Sequence, residues 1–401
     1  MRLLLFVRDP YPSTRSDLFT LFAQRLPELG ISTDVVAVRH GSLATTDLTW
    51  PAGGERVVSP LPGPLGTALA GLGNDLRALL SPRGDIDAIV VRDKLLTGAL
   101  ALLLSKAVPV DYWMSYPIPE DDLHRARTMK GSVVRKVALW TRGRLTAWLL
   151  YSIVVPRARY VFVQSDRMRA VVSERTGRRR HVYPVPMGID ERLVPGERAC
   201  TRRWRPGEPF RLAYLGSLDR VRRIDFLIDV LARLERRFPG QFQLRLIGDA
   251  NQPHEMKWLR EYVQASELTE SVEFAGVMSR QDAWRSLASC HAGLSAIPRG
   301  EVFDVSSPTK TVEYLVLGLP VLVNDIPDQK FLVDATGAGL CTQMSVDAFV
   351  DAVVILRERF GEFANSASAA RDWVIAERGY DRLALTVSNV LSARGANPVC
   401  S

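Results

Sequence analysis

The chain has few residues of the kinds that build disulfide frameworks and metal sites. Its four cysteines, Cys200, Cys290, Cys341 and Cys400, lie far apart with no C-x-x-C pair, and only five histidines are present. Neither residue type recurs at the spacing of a metal site. We therefore expect a reducing compartment and no structural zinc.

Long hydrophobic runs are also missing. The apolar run Arg2–Val7 is shorter than the core of a signal peptide and lacks a small-residue cleavage site. The longest apolar stretch elsewhere, Leu145–Val155, contains Thr146, Tyr151 and Ser152 and falls short of the roughly 20 residues that a membrane-spanning helix needs. The sequence thus predicts a cytoplasmic protein.

What is present is the pattern of an α/β protein. The 401 residues are 47% hydrophobic and 24% charged, the usage of a globular chain with two or three domains. Apolar runs alternate with segments of helical period, which is typical of parallel sheets covered by helices on both faces. The clearest predicted strands are Leu3–Val7, Ser32–Val38, Ala88–Arg92, Val108–Trp113, Tyr160–Gln164, Val182–Pro186, Phe210–Leu215, Phe242–Ile247, Val272–Ala275, Ala292–Ala296 and Pro320–Val323.

A segment rich in turn-forming residues and arginine, from Pro195 to Pro209, divides the chain. We predict one Rossmann-like domain over 1–195, a second over 196–375, and a helix within 376–401 that packs back on the first. Ligands of open parallel sheets bind beyond the carboxyl ends of the strands, so two facing domains of this kind have a single cleft between them. Functional residues are therefore expected in the loops that follow strands.

Four segments at predicted strand ends carry distinctive residues. They are Val185–Asp190, Tyr214–Leu227, the pair Val272–Val277 and Ser289–Pro298, and Ser306–Val323. Taken singly, the first is also typical of a plain turn, and the arginines of the second are also typical of a solvated loop. The fourth alone would suit a capped amphipathic helix with Glu313 at its surface.

In order and spacing, the four segments together resemble the retaining glycosyltransferases of family four. The segment Ser306–Val323 is similar to the family branch in which S-P-x-K-x-x-E-Y-L-x-x-G-x-P-V replaces E-x-F-G-x-x-x-x-E. The segment Tyr214–Leu227 is similar to Y-x-G-R-L-x-x-x-K-G-x-D-x-L, with Ser217 at the arginine and Arg222 at the lysine. The resemblance covers nearly the whole chain. It implies the GT-B fold of two facing Rossmann-like domains, and transfer of a sugar from a UDP- or GDP-type nucleotide sugar without a metal or other cofactor.

The resemblance also implies roles for single residues. Arg222 and Lys310 would face the leaving diphosphate and Glu313 would bind the ribose hydroxyls, so these three are the catalytic candidates. The other donor-binding candidates are Gly216, Ser217, Gly276, Val277, Met278, Ser306, Ser307 and Thr309, the last three at a helix start suited to anions. The acceptor-side candidates are Arg15, Ser115 and Tyr116.

Two positions depart from the family pattern. Val305 stands where the commoner motif has its first glutamate, so a carboxylate for the donor sugar would have to come from Glu301 or Asp304. Many relatives have a histidine after the strand that corresponds to Val108–Trp113, whereas the next histidine here is His124. Recognition of the donor sugar and of the acceptor is therefore expected to differ from the common pattern.

The net charge of +8 comes from one segment. Residues 123–160 contain nine basic and no acidic residues, so the rest of the chain is nearly neutral. On a helical wheel one face of this segment is mostly apolar and Arg135, Lys136 and Arg142 lie opposite, with Arg144 out of place. The residues that share the apolar face are Val133, Val134, Val137, Ala138, Thr141, Leu145 and Trp148. This segment is predicted to contact an anionic membrane surface. The alternative is that its apolar face packs on the first domain's sheet. No nucleic-acid-binding motif accompanies the charge.

The leading interpretation is a metal-independent hexosyltransferase of glycoconjugate or polysaccharide biosynthesis at the inner face of the cell membrane. Its acceptor would be a lipid-linked glycan or a small-molecule glycoside. Two alternatives remain. A nucleotide-sugar epimerase uses the same architecture but requires acid and base residues in the cleft. A non-catalytic GT-B-like partner would bind the membrane without turnover.

Overall fold

The computed structural model describes residues 1–13, 15–39, 49–81, 85–129, 131–195 and 203–393. The chain divides into two compact units, one formed by Met1–Asp190 with Tyr380–Ser401 and the other by Glu191–Gly379. Each unit contains a fully parallel sheet with helices, so the predicted α/β class is confirmed. The predicted linker 195–209 lies partly outside the described residues, and the boundary between the units falls at Asp190.

The first unit is built on a seven-stranded sheet with the order β3-β2-β1-β4-β5-β6-β7. Its strands are β1 (Arg2–Val7), β2 (Ser32–Val38), β3 (Glu55–Val58), β4 (Ala88–Arg92), β5 (Val110–Met114), β6 (Val161–Val163) and β7 (Val182–Pro184). The central strands β1 and β4 are near-continuous apolar runs because both of their faces are covered. The edge strand β3 is short and half charged, which is why its sequence did not predict it.

Helices surround this sheet. They are α1 (Ser16–Leu18), a π-helical stretch (Phe19–Arg25), α2 (Leu26–Glu28), α3 (Gly63–Leu80), α4 (Leu95–Leu104), α5 (Ile118–Thr128), α6 (Val133–Trp148), a second π-helical stretch (Leu149–Val154), α7 (Val155–Arg157), α8 (Asp166–Thr176) and, from the end of the chain, α16 (Tyr380–Ser392). Helix α3 packs beside α4, and α4 packs beside Leu149–Val154, while α5 and α6 pack against each other as a hairpin. Helix α16 packs on Phe19–Arg25 and completes the core of this unit.

The second unit has a six-stranded sheet with the order β10-β9-β8-β11-β12-β13. Its strands are β8 (Phe210–Leu215), β9 (Phe242–Ile247), β10 (Val272–Gly276), β11 (Ala292–Ser295), β12 (Val321–Asn324) and β13 (Gly339–Thr342). Its helices are α9 (Ile224–Arg237), α10 (Pro253–Ala265), α11 (Arg280–Ala288), α12 (Thr309–Val316), α13 (Pro327–Thr336), α14 (Val346–Glu358) and α15 (Phe360–Arg378). Short 3-10 turns occur at Arg179–His181, Glu191–Leu193 and Arg220–Arg222.

Amphipathic helices cover the second sheet. Helix α9 shows this clearly, since Ile224, Leu227, Leu231 and Leu234 are buried on one side and charged residues lie on the other. Among the described residues, no helix of the protein is both long enough and apolar enough to cross a membrane.

Candidate functional site

The predicted donor residues of the second unit lie in loops at one edge of its sheet. Gly216 and Ser217 follow β8, Gly276–Met278 end and follow β10, and Ser306–Thr309 lead into α12. All strands of this sheet run parallel, so their carboxyl ends share that edge. A Cβ atom on Gly248, which has a φ of +136°, would lie 2.1 Å from the carbonyl oxygen of Gly216. Only glycine therefore lets the loops after β8 and β9 approach this closely.

Lys310 is the cation nearest the centre of these loops. Its Nζ lies 3.8 Å from the ring centroid of Tyr214 and 3.7 Å from the place a Cβ on Gly216 would take. Burial and the nearby Arg222 guanidinium lower the pKa of Lys310 to about 7, although Glu313 acts in the opposite direction. The amine is therefore poised between its two charge states near neutral pH. A bound anion would favour the protonated form.

Glu313 lies one turn after Lys310 on α12 and is largely buried. Its Oε1 lies 3.9 Å from the Nε of Arg280, at the start of α11. Burial raises the pKa of Glu313, while Arg280, the Trp284 indole and Lys310 act to lower it. Because α11 begins two residues after Met278, this arrangement brings the predicted donor-binding residues Gly276–Met278 close to the predicted ribose-binding carboxylate.

The three arginines of the loop after β8 have different neighbours. Arg220 stacks over the ring of Trp258 at 4.1 Å, and the Nε of Arg223 lies 3.0 Å from Asp225. Arg222 is exposed and is the one whose charge acts on Lys310. Arg220 and Arg223 therefore each contact a neighbouring side chain, whereas Arg222, the predicted phosphate-binding arginine, is exposed.

The turn before α12 is held from behind by α13. The hydroxyl of Ser307 donates to Asp328 over 2.8 Å, and Arg378 binds the other oxygen of Asp328 at 2.8 Å. All three side chains are buried. Ser306 donates to the carbonyl of Phe303 over 2.6 Å. Both serine hydroxyls therefore point at protein acceptors, and the backbone N–H of Ser306 also donates to Phe303 over 3.0 Å. The groups that can face an anion here are the first backbone N–H groups of α12, which have no partner within the helix.

The loop that precedes this turn determines which carboxylate is available to a donor sugar. Val305 is buried, which suits its apolar side chain. Asp304 forms a two-point ion pair with Arg299, at 2.7 and 3.1 Å, and Arg299 also pairs with Asp325. Glu301 is exposed. Of the two carboxylates considered from the sequence, Glu301 is thus the better candidate.

In the first unit, the loops that bear the acceptor-side candidates contain a buried charge cluster. Arg92, at the end of β4, is fully buried, with its Nη2 2.7 Å from Asp17 and its Nε 3.2 Å from Asp9. The predicted residue Arg15 lies 3.0 Å from Asp17. Burial alone would raise the pKa of Asp17, but Arg92 and Arg15 lower it to about 2. The Asp17 carboxyl therefore stays ionised throughout the neutral range.

Ser115, after β5, joins the same edge. Its backbone N–H donates to Asp93 over 2.9 Å and its hydroxyl donates to the other oxygen of that carboxylate. Asp93 has a φ of +53°, which is uncommon for a residue other than glycine, and burial raises its pKa. Tyr116 is exposed. Arg15 and Ser115 thus lie at the same sheet edge. Arg15 shares the Asp17 carboxylate with Arg92, and Ser115 binds Asp93, the residue next to Arg92.

Sequence reasoning missed three charged residues of this edge, Asp17, Arg92 and Asp93. The available signal was the Arg92-Asp93 pair, because charged residues where a buried strand ends stand where parallel sheets bind ligands. Among the described residues, no group of three or more His, Cys, Asp or Glu side chains has the arrangement of a metal site.

Comparison with known proteins agrees with this fold. Residues 209–359 match the family model "Glycosyl transferases group 1". HepE from Anabaena, solved with UDP and glucose, has a TM-score of 0.71 at 19% identity, with 98% of this chain and 100% of that chain covered. Sucrose-phosphate synthase from Thermosynechococcus elongatus has a TM-score of 0.72 at 17% identity, over 97% and 98% of the two chains. No curated protein sequence is a significant match.

A glycosyltransferase from Rickettsia africae is similar as well, with a TM-score of 0.71 at 13% identity over 98% of this chain and 99% of that one. At such identities the solved structures establish the fold, and the family model establishes the nature of the second unit. The chain is therefore a glycosyltransferase of the GT-B fold that carries a group 1 glycosyltransferase domain in its second unit.

Proposed function

We propose that the protein is a retaining glycosyltransferase that moves a hexose from a UDP- or GDP-type nucleotide sugar to a lipid-linked glycan or a small-molecule glycoside. The observation that carries this proposal is the convergence of Lys310, Glu313 and Arg280 at the start of α12. HepE has been solved with UDP and with UDP-glucose, which makes a uridine nucleotide the first donor to test.

The proposed chemistry is stabilisation of a departing diphosphate. Negative charge grows on the diphosphate as the bond to the sugar breaks. The N–H groups at the start of α12, Lys310 and Arg222 all contribute positive charge to that region. Such a set can take the place of a metal ion in neutralising the leaving group. We accordingly propose a metal-independent reaction.

The proposed donor contacts follow from the same geometry. Glu313 accepts the two ribose hydroxyls, because an ionised carboxylate offers two acceptor oxygens to two donors. Val277 is an exposed apolar side chain in the loop that leads to α11, and its face suits a nucleotide base. Glu301 reaches for the donor sugar in place of the glutamate that Val305 replaces.

The proposed acceptor side is the edge of the first unit with Arg15, Ser115 and Tyr116. Retention through same-face attack lets the departing phosphate take the proton of the acceptor hydroxyl. This route requires no histidine after β5, where the next histidine along the chain is His124. Arg15, whose side chain is partly exposed beside the buried Arg92 and Asp17, offers hydrogen-bond donors to a polar glycoside.

We also propose that the enzyme is cytoplasmic and binds the inner face of the cell membrane through residues 123–160, in glycoconjugate or polysaccharide biosynthesis. Helix α6 supports this, because Val134, Trp140 and Trp148 are exposed. The alternative from the sequence, in which this apolar face packs on the sheet, is wrong for those side chains.

A donor screen tests the enzymatic proposal. The protein is incubated with UDP-, GDP- and dTDP-sugars, and nucleotide binding, hydrolysis and transfer are measured by calorimetry and mass spectrometry. Glu313→Ala is expected to weaken binding of the selected nucleotide about tenfold or more, since it removes a buried carboxylate from two hydroxyl donors. Glu358→Ala, on the exposed side of α14, is the matched control and should leave the affinity unchanged.

The outcomes separate the alternatives. Unchanged affinity of Glu313→Ala would remove the ribose assignment. Conversion of the donor sugar without any acceptor would favour an epimerase. A protein that binds membranes yet neither binds nor turns over any nucleotide sugar would be a non-catalytic partner, and the transferase proposal would fail.

A further inference from the structure

The outer surfaces of α3, α4 and α6 carry an unusual share of exposed apolar side chains. Among the described residues, twelve of the 22 large hydrophobic side chains that are exposed lie on these three helices, and each is between 40% and 77% exposed. They are Leu65, Leu69, Leu80, Leu96, Leu103, Leu104, Val133, Val134, Val137, Trp140, Leu145 and Trp148. Exposed apolar residues in such number mark an interaction surface.

These three helices are connected through their packing. Helix α3 packs beside α4, and α4 packs beside Leu149–Val154, which continues α6 without a break. Helices α3 and α4 turn small residues toward the sheet, Gly71 of α3 toward Val38 and Gly98 of α4 toward Tyr112, whereas α6 buries only Gly143, against α5. The exposed leucines of α3 and α4 lie away from these buried residues, and Leu149–Val154 links them to the exposed residues of α6.

The charge on these helices is of one sign. The only acidic residue in the sequences of α3, α4 and α6 is Asp75, which is buried and whose carboxylate lies 2.6 Å from the Lys94 amine. Arg77, Arg135 and Arg144 are exposed on the same helices. None of the three helices thus presents an exposed carboxylate, while basic groups flank the apolar surface.

This combination fits a bilayer that contains anionic lipids. Apolar side chains enter the boundary between headgroups and acyl chains, tryptophans sit at that level, and basic residues gain about 1 kcal/mol each beside anionic headgroups. We propose that α3, α4 and α6 together form one lipid-contacting surface for an anionic membrane. The proposal rests on the membrane contact proposed above for residues 123–160 and extends it to two helices that lie earlier in the chain.

The test compares vesicles of phosphatidylcholine with vesicles that also contain phosphatidylglycerol, in co-sedimentation with the full-length protein. The double variant Leu69→Gln/Leu103→Gln removes one exposed leucine from α3 and one from α4. We expect about tenfold weaker binding to the anionic vesicles, because two leucines no longer enter the lipid. Trp140→Gln/Trp148→Gln should weaken binding similarly. Leu385→Gln, an exposed leucine on α16 of the same unit, is the control and should bind as wild type does.

Each other result has a defined meaning. If the leucine variant binds as wild type while the tryptophan variant loses binding, α6 acts alone; this inference is then overturned and the contact through 123–160 stands. If wild type binds neither vesicle, both membrane proposals fail, while the donor screen still decides the transferase. If wild type dimerises through Leu69 and Leu103 in light scattering, a second copy covers the surface and the inference is again overturned. Circular dichroism and nucleotide binding confirm that the variants fold.

Discussion

Lys310 is the residue whose protonation sets the charge of the proposed donor site. Its pKa of about 7 means that the free protein loses this charge as the pH rises through neutrality. A bound diphosphate favours the charged amine and raises that pKa again. We therefore expect UDP affinity to fall as the pH rises above about 7, by at most about tenfold per pH unit, with proton uptake on binding that rises toward one as the free amine becomes neutral.

Calorimetry in buffers of different ionisation enthalpy, from about pH 6 to about pH 9, measures both the UDP affinity and the number of protons taken up on binding. Lys310→Arg is the informative control, because an arginine keeps its charge across this range. It should abolish the proton uptake and flatten the pH dependence above 7. A pH dependence that is the same in this variant would assign the titration to the nucleotide phosphate and contradict the prediction.

At the residue scale, the sequence predicted groups whose spacing along one segment is fixed. Lys310 and Glu313 are three apart on α12, so one helix turn places them together whatever packs around them. Arg280 and Trp284 were missed because they reach Glu313 from another helix. Contacts of that kind depend on packing between elements that no single segment encodes.

Helix α13 is the element that orients the proposed phosphate-binding turn. Asp328, in its first turn, binds both Ser307 and Arg378, and all three are buried. The amide of Gln329 donates to Asn324, whose own amide binds Ile297 at the other end of the loop. One helix start therefore holds both ends of the loop between β11 and α12.

The second prediction concerns Asp328→Asn. The amide keeps the size of the side chain but removes the charge that pairs with Arg378, so the turn at Ser307 should loosen. We expect about tenfold weaker binding of UDP but less than about twofold weaker binding of uridine, because the diphosphate alone depends on this turn. Isothermal calorimetry with both ligands measures the difference, and amide hydrogen exchange over residues 304–311 should accelerate.

The same helix supplies a matched control. Asp334 pairs with Lys330 at 2.6 Å on the exposed side of α13, so Asp334→Asn removes an ion pair far from the turn. This variant should change neither the affinity for UDP or uridine nor the amide hydrogen exchange of residues 304–311. Equal losses of UDP and uridine binding in Asp328→Asn would indicate general destabilisation and contradict the positioning role.

At the element scale, four strands, β2, β4, β8 and β9, were predicted with their exact bounds, since their apolar runs are bounded by turn residues. The short strands β3 and β13 were not predicted, because neither is an apolar run of its own. The helical period of α6 predicted a helix but did not show which element packs on it. The structure shows that α5 does, in contact with Gly143 of α6, where a Cβ atom would lie 2.8 Å from Leu123.

At the scale of the whole molecule, the end of the chain belongs to the unit that contains its beginning. Tyr380 donates its backbone N–H to Ile189 over 3.1 Å, which places the two segments that border the second unit side by side. Buried Arg25 pairs with both Asp190 and Asp381. Residues far apart in sequence thus close the first unit, and local patterns do not encode such closure.

Helix α16 contributes the last part of the first unit's core, and two leucines on it allow a matched test. Leu383 is 4% exposed and Leu385 is 51% exposed. Leu383→Ala should lower the free energy of unfolding of the first unit by about 2–4 kcal/mol, because it removes a side chain from a packed core. Leu385→Ala should stay within about 0.5 kcal/mol of wild type. Urea unfolding, followed through amide exchange in β1, reports on this unit alone. Equal effects of the two variants would mean that α16 is not part of the first unit's cooperative core, whereas the expected difference would show that β1 is stabilised by residues nearly 380 positions away in sequence.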